Sequence, residues 1–333
     1  MQTQYLSSSR FLKGKLFLVL EDVLRIGKKT VNNNHDGYTF IRRTDAINFR
    51  SASSAGIYSN NHGDKFFIKD YAYTLKNLEY EYLHNEINTL QILNNKSLPH
   101  INVRVPQFVN AQDLNKRITL ITEYAEGKTL NNYTKDKIKH VLIEAITYLQ
   151  SLSQNTSANI LKTIPKRLQI FSYVLFPFYL LRALLKEPSK GKLFLEAFIK
   201  FLCYSPFCIF QNVPYGICHR DLSVDNILYD ESKKQSIILD TECMVRTDIL
   251  YDVVLLPRLY IRYLNANQML SIFDSLRLSR SDKQRLIVLM ITSCISKIAT
   301  EQKNARDYIN AIQGLTLSLN TLIPNIEREL RKV

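Results

Sequence analysis

Strand-like patterns dominate this chain between Tyr38 and Tyr124, and helix-like patterns dominate it from Lys135 onward. Between Tyr38 and Tyr71 short apolar runs alternate with polar turns, as in the run Phe66–Tyr71 (FFIKDY) after the turn Asn60–Asp64, and Arg117–Tyr124 repeats the pattern. From Lys135 onward the apolar spacing is helical. Strands that precede helices in this way predict an α+β chain with a small antiparallel-sheet lobe and a larger, mainly helical lobe.

Two local exceptions interrupt these blocks. In Leu78–Leu93 apolar residues recur at spacings of three and four, which predicts one long helix inside the strand-rich part. Within the helical part, Asn226–Tyr229 and Ser236–Leu239 predict two short strands around a lysine turn. We therefore predict an N-terminal lobe over residues 1–124, a hinge over 125–129 and a C-terminal lobe over 130–333, with a helical insertion at 155–214.

Composition excludes several classes of protein. Of the 333 residues 46% are hydrophobic, which is enough for a packed core and rules out disorder as the main state. The five cysteines include no C-x-x-C pair, so neither a disulfide framework nor a structural zinc site is expected. The net charge of +14 predicts attraction to anions such as nucleotides, acidic glycans or an anionic membrane face.

The most informative motif is Cys218–Asn226, which reads CHRDLSVDN. It places the carboxylate of Asp221 and the amide of Asn226 on one short loop, and a second acid, Asp240, follows an apolar strand. Phosphoryl transfer needs a carboxylate that orients the attacking hydroxyl and accepts its proton, and it needs oxygen ligands for a metal ion that bridges the phosphates.

This arrangement resembles the protein-kinase-like superfamily, and within it the small-molecule branch of aminoglycoside phosphotransferases and choline kinases. The resemblance covers residues 40–252 and implies a bilobal kinase-like fold and an enzyme dependent on ATP and Mg²⁺. It implies that Asp221 is the catalytic base and that Asn226 and Asp240 are metal ligands.

The resemblance also implies residues that bind the nucleotide. Lys69 in FFIKDY matches the strand lysine that contacts the phosphates, and Glu86 matches its helix partner, with Glu79 on the same helix face as the second candidate. The small residues of Arg50–Gly56 match a phosphate-binding loop, with Ser53, Ser54 and Gly56 as contacts. The strand 118–124, together with residues 125–127 that follow it, matches the hinge that binds adenine, through Glu123 and Ala125.

Two departures from protein kinases select the small-molecule branch. Ser223 stands where those enzymes carry a lysine, two residues after the catalytic aspartate. Only eleven residues separate Asp240 from Asp252, so there is no long activation segment to hold a protein substrate. The stretches Asp240–Glu242 and Asp248–Asp252 instead resemble the D-x-E and DPLYDLA stretches of small-molecule kinases.

Alternatives remain open at this stage. The chain could be an atypical protein kinase or a pseudokinase scaffold, although it retains all four key residues, Lys69, Asp221, Asn226 and Asp240. Its charge could also serve nucleic-acid binding, but the basic residues are dispersed, so no nucleic-acid partner is expected.

The acceptor is expected to be a small molecule or a glycan that carries a hydroxyl; a sugar, a lipopolysaccharide-type glycan and a choline-like amino alcohol all stay open. The charge of +14 argues against an aminoglycoside, because an aminoglycoside is itself polycationic. The apolar runs at 16–20 and 170–185 are too short to span a membrane. We therefore expect a cytoplasmic protein, and contact of its aromatic and basic insertion with an anionic membrane surface stays open.

Overall fold

The computed structural model describes residues 34–35, 37–43, 53–73, 78–94, 102–167, 173–209 and 213–332. The chain divides into two compact units. The first consists of residues 1–97, 105–126 and 239–244, and the second consists of residues 98–104, 127–238 and 245–333.

The first unit is built on an antiparallel sheet. Its strands are β1 (Asn34–His35), β2 (Tyr38–Arg43), β3 (Ser53–Asn60), β4 (Lys65–Ala72), β6 (Phe108–Leu114) and β7 (Arg117–Glu123). They lie in the order β1-β2-β3-β4-β7-β6. A cluster of Tyr58, Ile68 and Ile121 links the central strands. The central position of β4 matters for the site because neighbours on both sides fix its direction.

The turn from β3 to β4 lies where the sequence predicts it. The Asn60 side chain accepts hydrogen bonds from the backbone N–H groups of His62 and Asp64, both at 2.9 Å. Gly63 has a φ of +86°, a conformation that glycine adopts without strain. This turn sets the register that places Lys69 opposite Ala55 and Leu120.

The predicted helix of the first unit is present as α1 (Leu78–Asn94). The five apolar residues that share its predicted face are all buried; they are Tyr80, Leu83, Ile87, Leu90 and Leu93. Glu86 lies among them and is 4% exposed. A carboxylate at such a position needs a partner, since an unpaired buried charge is very costly.

The second unit is mainly helical. Its helices are α2 (Lys135–Asn155), α3 (Ala158–Leu161), α4 (Phe176–Lys186), α5 (Gly191–Ile209), α6 (Tyr251–Val254), α7 (Leu256–Leu259), α8 (Ala266–Ser275), α9 (Arg280–Thr300), α10 (Arg306–Leu317) and α11 (Ile323–Arg331). The helix α9 forms the centre of this unit, and α4, α5 and α10 pack against it. Its start is fixed by a capping box between Ser279 and Asp282.

The second unit also contains short strands. They are β5 (Val103–Arg104), β8 (Lys128–Thr129), β9 (Tyr215–Cys218), β10 (Ile227–Asp230), β11 (Gln235–Ile238) and β12 (Val245–Asp248). The hairpin of β10 and β11 was predicted, and β5 pairs with β11 in parallel. The expectation of helix after residue 240 was wrong at β12, because this strand forms through its pairing with β9, a contact distant in sequence.

Among the described residues no helix has the length and apolar character needed to cross a membrane.

Candidate active site

Lys69 lies in the middle of β4 and is 7% exposed. Its ammonium donates to both carboxylate oxygens of Glu86, at 3.1 Å to Oε1 and 2.8 Å to Oε2. It also donates to Oδ1 of Asp240 at 2.8 Å. The helix α1 thus supplies the buried lysine with the carboxylate partner that the position of Glu86 on its apolar face predicts.

The charge of Lys69 is secured by its neighbours. Burial alone would lower the pKa of Lys69, but Glu86, Asp240 and Glu242 together raise the pKa above its usual value. The ammonium therefore stays protonated throughout the physiological range. A permanently charged group of this kind can interact with phosphate oxygens.

Asp240 follows β11 and has left-handed backbone angles, φ 57° and ψ 57°. A non-glycine residue in this region is uncommon and marks a position that the surrounding structure constrains. Asp240 precedes the short 3-10 helix Thr241–Cys243, and its carboxylate points to Lys69. The constrained turn thus brings a residue 171 positions away in the sequence to the strand of Lys69.

A second contact holds the segment after Asp240 on α1. The side-chain amide of Asn85 donates to the carbonyl oxygens of Glu242 at 2.8 Å and Met244 at 2.9 Å. Asn85 is a functional neighbour that the sequence did not reveal, because an asparagine beside Glu86 on a helix carries no distinctive pattern. It fixes the backbone on which Asp240 and Glu242 stand.

The carboxylates of Glu86, Asp240 and Glu242 each offer an oxygen, and these oxygens lie within 4.8 Å of one another. Hard oxygen donors of this type fit Mg²⁺, which prefers carboxylates and keeps several waters. Glu86 and Asp240 also pair with Lys69. Asp240 and Glu242 are the more accessible donors, since both are only partly buried whereas Glu86 is buried.

The predicted catalytic loop leaves the strand β9 and carries Asp221 at an exposed position. The amide of Asn226 donates to the carbonyl oxygen of Asp221 at 2.8 Å and approaches its Oδ2 at 3.3 Å. Asn226 belongs to the 3-10 helix Val224–Asn226, which brings it back toward Asp221 across the five-residue spacing. Because the amide nitrogen is engaged in these bonds, the amide oxygen is the atom that Asn226 can offer to a cation.

The buried side chain of Asp252 holds the backbone of this loop in place. Its carboxylate accepts the backbone N–H of His219 at 2.8 Å and that of Arg220 at 2.7 Å. Burial raises the pKa of Asp252, opposed by His219 and by these two hydrogen bonds. Arg220 has a φ of 70°, so the two bonds hold a backbone conformation that would otherwise be unfavourable.

His219 and Tyr260 complete the support of the loop. The fully buried His219 accepts the backbone N–H of Asp221 at Nδ1, at 3.3 Å. The hydroxyl of Tyr260 donates to the carbonyl oxygen of Leu222 at 2.8 Å. Burial raises the pKa of Tyr260 far above its usual value, so the phenol remains a donor at every relevant pH.

Some predicted residues can be placed only by their backbone. Ser53, Ser54 and Gly56 lie in β3, where they pair with Tyr71, Asp70 and Ile68. The serine side chains and residues 50–52 lie outside the described residues, as does the side chain of Glu79, the second candidate for the lysine partner.

The predicted adenine-binding residues lie at the end of β7 and just after it. Glu123 ends this strand opposite Phe66, and its N–H donates to the carbonyl oxygen of Gln107 at 3.0 Å. Ala125 is buried two positions later. The division between the two compact units falls between Glu126 and Gly127.

The predicted residues therefore form two sets. In the first unit Lys69 contacts both Glu86 and Asp240. Asp221 and Asn226 are in contact in the second unit. Each set has the chemistry that the sequence predicted for it: a charged lysine between carboxylates, and a carboxylate beside an amide.

The structure aligns along most of its length with several solved aminoglycoside phosphotransferases. The structure aligns with aminoglycoside phosphotransferase APH(4)-Ia at a TM-score of 0.57 and 10% identity, covering 92% of this chain and 98% of that chain. It aligns with aminoglycoside 2'-phosphotransferase-IIIa, solved as a GDP complex, at 0.59 and 14%, covering 93% and 98%. For an aminoglycoside phosphotransferase from Alicyclobacillus acidocaldarius the values are 0.58 and 12%, covering 93% and 98%. These similarities confirm the predicted α+β kinase-like fold.

No curated protein matches the chain in a direct sequence search. A model of the phosphotransferase enzyme family, APH, matches residues 57–274, which is more than half of the chain. The match begins in β3 and ends in α8, so it includes Lys69, Glu86, the loop of Asp221 and Asp240. The chain belongs to the APH phosphotransferase enzyme family, as its motifs predicted, and is a phosphotransferase with an alcohol group as acceptor.

Proposed function

We propose that this enzyme transfers the γ-phosphoryl group of ATP to a hydroxyl of a small molecule or glycan, with Asp221 as the catalytic base. The observation that carries the proposal is the contact between Asn226 and Asp221 on a loop whose backbone is held by Asp252. Phosphoryl transfer depends mainly on positioning and electrostatics, and a rigid loop with an exposed carboxylate supplies positioning.

In the proposed reaction the acceptor hydroxyl donates a hydrogen bond to the carboxylate of Asp221. The acceptor oxygen forms a bond to the γ-phosphorus while the bond from that phosphorus to the bridging oxygen of ADP breaks. The hydroxyl proton passes to Asp221, and ADP leaves with the bridging oxygen. The exposure of Asp221 is consistent with direct contact to an acceptor.

Lys69 would bind the phosphates of the nucleotide, and Glu86 would hold its ammonium in place. Asn226 and Asp240 would hold Mg²⁺, which neutralises phosphate charge when bound. Ser53, Ser54 and Gly56 would contribute to phosphate binding, and Glu123 and Ala125 to adenine binding. Nucleotide binding is supported by related structures solved with ADP, AMP-PNP or GDP.

The net charge of the chain bears on the class of acceptor. Related structures contain kanamycin, hygromycin B or spectinomycin. This chain, however, has a net charge of +14, which disfavours a polycationic acceptor. We therefore favour a neutral or anionic acceptor, such as a sugar or a glycan, over an aminoglycoside.

A protein acceptor is not favoured. Between Asp240 and Asp252 the chain is taken up by the short helix Thr241–Cys243 and by β12. This compact connection leaves no extended segment on which a peptide substrate could lie.

The test is release of ADP from ATP and Mg²⁺ in the presence of a panel of sugars, acidic glycans, amino alcohols and aminoglycosides. With the acceptor identified, Asp221→Asn should lower kcat by about 10²- to 10⁴-fold, the usual contribution of general base catalysis. The matched control is Asp225→Asn, a change of the same type at an exposed position of the same loop. Equal kcat values for Asp221→Asn and the wild type would refute the role of Asp221.

A further inference from the structure

The helices α4 and α5 have two different faces. They are joined by the short turn Pro188–Lys190, and both pack against α9. Their inner faces are fully buried, through residues such as Phe176 and Ala183 on α4 and Phe194 on α5. These contacts complete the core of the second unit, so the other sides of the helices face away from α9.

The outward sides are also apolar, which is unusual for surface helices. Eight hydrophobic residues on or beside these helices are each more than half exposed, with Val174 at 69% and Leu185 at 73%. We call this set the outer apolar face; it consists of Val174, Phe178, Leu181, Leu185, Leu195, Ile199, Leu202 and Phe207.

The spacing of these exposed residues places them on one side of each helix. The members on the first helix, with Val174 just before it, are separated by four, three and four residues, which places them along one side. Leu195, Ile199 and Leu202 repeat the same spacing on α5. No charged residue interrupts either row. Monomeric proteins rarely expose apolar patches of this extent, and such patches mark interaction sites.

Basic side chains border the outer apolar face. Residues 173–209 contain five Lys or Arg and two Asp or Glu. Arg182, Lys190 and Lys192 are exposed. One of the two acids, Glu187, is neutralised by Lys303 at 2.7 Å. The border therefore has an excess of positive charge beside the exposed apolar side chains.

The remaining two basic residues have structural partners. The ammonium of Lys186 donates to the carbonyl oxygens of Ile298 at 2.9 Å and Ala299 at 3.2 Å, at the end of α9. Lys200 forms an ion pair with Glu327. Neither is suitable for testing surface charge, because its removal would disturb the fold.

We propose that the outer apolar face binds the surface of an anionic lipid bilayer, with α4 and α5 lying in the interface. Apolar side chains would enter the boundary of the acyl chains, and Arg182, Lys190 and Lys192 would contact anionic headgroups. The positive charge of the border favours an anionic bilayer over a second copy of this chain, because two copies of the outer apolar face would place like charges together. The proposal does not depend on the identity of the phosphoryl acceptor.

The test is co-sedimentation of the full chain with vesicles of phosphatidylcholine mixed with phosphatidylglycerol, and with vesicles of phosphatidylcholine alone. Binding should require the anionic lipid and should weaken in about 1 M NaCl, where the Debye length falls to about 3 Å. Since one basic residue near an anionic surface contributes about fivefold to partitioning, changing Arg182, Lys190 and Lys192 to Gln should reduce it roughly a hundredfold.

A second variant tests the apolar contribution. Leu181→Gln, Leu185→Gln, Leu195→Gln and Ile199→Gln together should abolish sedimentation even at low salt, and their exposure predicts that the fold is retained. The matched controls are Leu114→Gln with Ile309→Gln, which are exposed apolar residues elsewhere, and Lys135→Gln with Lys234→Gln and Arg280→Gln, which are exposed basic residues elsewhere. Both controls should bind like the wild type.

Three outcomes would overturn the proposal: no binding at low salt, equal binding of the wild type and the apolar variant, or equal binding to neutral vesicles. Gel filtration of the same proteins identifies the competing occupant. A dimer that becomes a monomer only in the apolar variant, without vesicle binding, would assign the face to self-association.

Discussion

Asp252 and His219 are joined by a hydrogen bond from a backbone N–H to a carboxylate oxygen, with 2.8 Å between His219 N and Asp252 Oδ2. The second oxygen of the same carboxylate accepts the N–H of Arg220 at 2.7 Å. Asp252 therefore positions the loop from the protein interior, whereas Asp221 lies at an exposed position of the same loop. In the proposed reaction Asp252 positions the loop and Asp221 accepts the proton.

The first prediction concerns Asp252. Asp252→Ala leaves the buried N–H of His219 and the partly buried N–H of Arg220 without this acceptor. The loss of a buried hydrogen-bond partner costs about 1–3 kcal/mol in the free energy of unfolding, and the partly buried group should cost less. It should also lower kcat by about 10²-fold, because small displacements of a catalytic group have effects of this size. Urea unfolding and steady-state kinetics measure the two effects.

Asp252→Asn distinguishes positioning from a general loss of structure. It keeps one carbonyl acceptor, so it should recover part of the stability and part of kcat, with little change in KM for the nucleotide. If Asp252→Asn were as inactive as Asp252→Ala but fully stable, the carboxylate would have a direct chemical role instead.

The second prediction treats Lys69 and Glu86 as one unit. Lys69→Met removes a charge aimed at the phosphates and should lower kcat/KM by about 10²- to 10³-fold, as for other preorganised electrostatic groups. Glu86→Gln should cost less, and its addition to Lys69→Met should cost almost nothing more, because residues in direct contact are not additive. Glu81→Gln, on the same helix, is the matched control. Additive losses would show that Glu86 acts independently of Lys69.

The third prediction concerns Asp240. Asp240→Ala should abolish the rise in thermal stability that Mg²⁺ with ATP produces, which for the wild type is about 2.7 kcal/mol at a hundredfold excess over Kd. Asp274→Ala, an exposed acid on α8, should retain the full rise. A rise in the Asp240 variant equal to that of the wild type would contradict its assignment as a metal ligand.

Much of this site could be predicted from the sequence because its residues carry local signals. Asp221 and Asn226 share one motif, and Glu86 is conspicuous as a charge on the buried face of a helix. The long helix and the strand of Lys69 follow from periodicity alone. In each case the signal lies within a few residues of the functional side chain.

The parts that could not be predicted depend on contacts distant in sequence. Asn85 binds carbonyl groups 157 and 159 positions away, and the strand β12 forms by pairing with β9, about 30 positions earlier in the chain, as the spacing of Cys218 and Asp248 shows. Asp252 was visible in a family-like stretch, but its bonds to the loop depend on the packing of the second unit. The exposure of the outer apolar face was equally hidden, because periodicity does not tell which of two apolar sides is covered.

The last prediction concerns the buried ion pair between Arg285 and Asp248. Arg285 is 1% exposed, and its Nε lies 3.0 Å from Oδ2 of Asp248. A second contact joins Nη2 of Arg285 to Asp282 at 2.8 Å. Burial raises the pKa of Asp248, an effect that Arg285 opposes. Arg285→Met would leave the Asp248 carboxylate buried without its cation and should cost about 3–5 kcal/mol at neutral pH.

This loss should depend on pH in a defined direction. Without Arg285 the pKa of Asp248 in the folded state rises further above its unfolded value of about 3.9, so the folded variant binds the proton more readily than the unfolded chain does. The unfolding free energy of Arg285→Met should therefore increase, relative to the wild type, as the pH falls from about 7.5 to about 5. Urea unfolding of both proteins across this range measures the difference.

Adding Asp248→Asn to Arg285→Met supplies the control, since it removes the titrating group. The double variant should be more stable than Arg285→Met at neutral pH. The difference between its unfolding free energy and that of the wild type should not change with pH, apart from the small contribution of Asp248 titration in the wild type itself. A stability gap between Arg285→Met and the wild type that stays the same at every pH would mean that Asp248 remains ionised without its partner. In that case solvent, and not Arg285, would be compensating its charge.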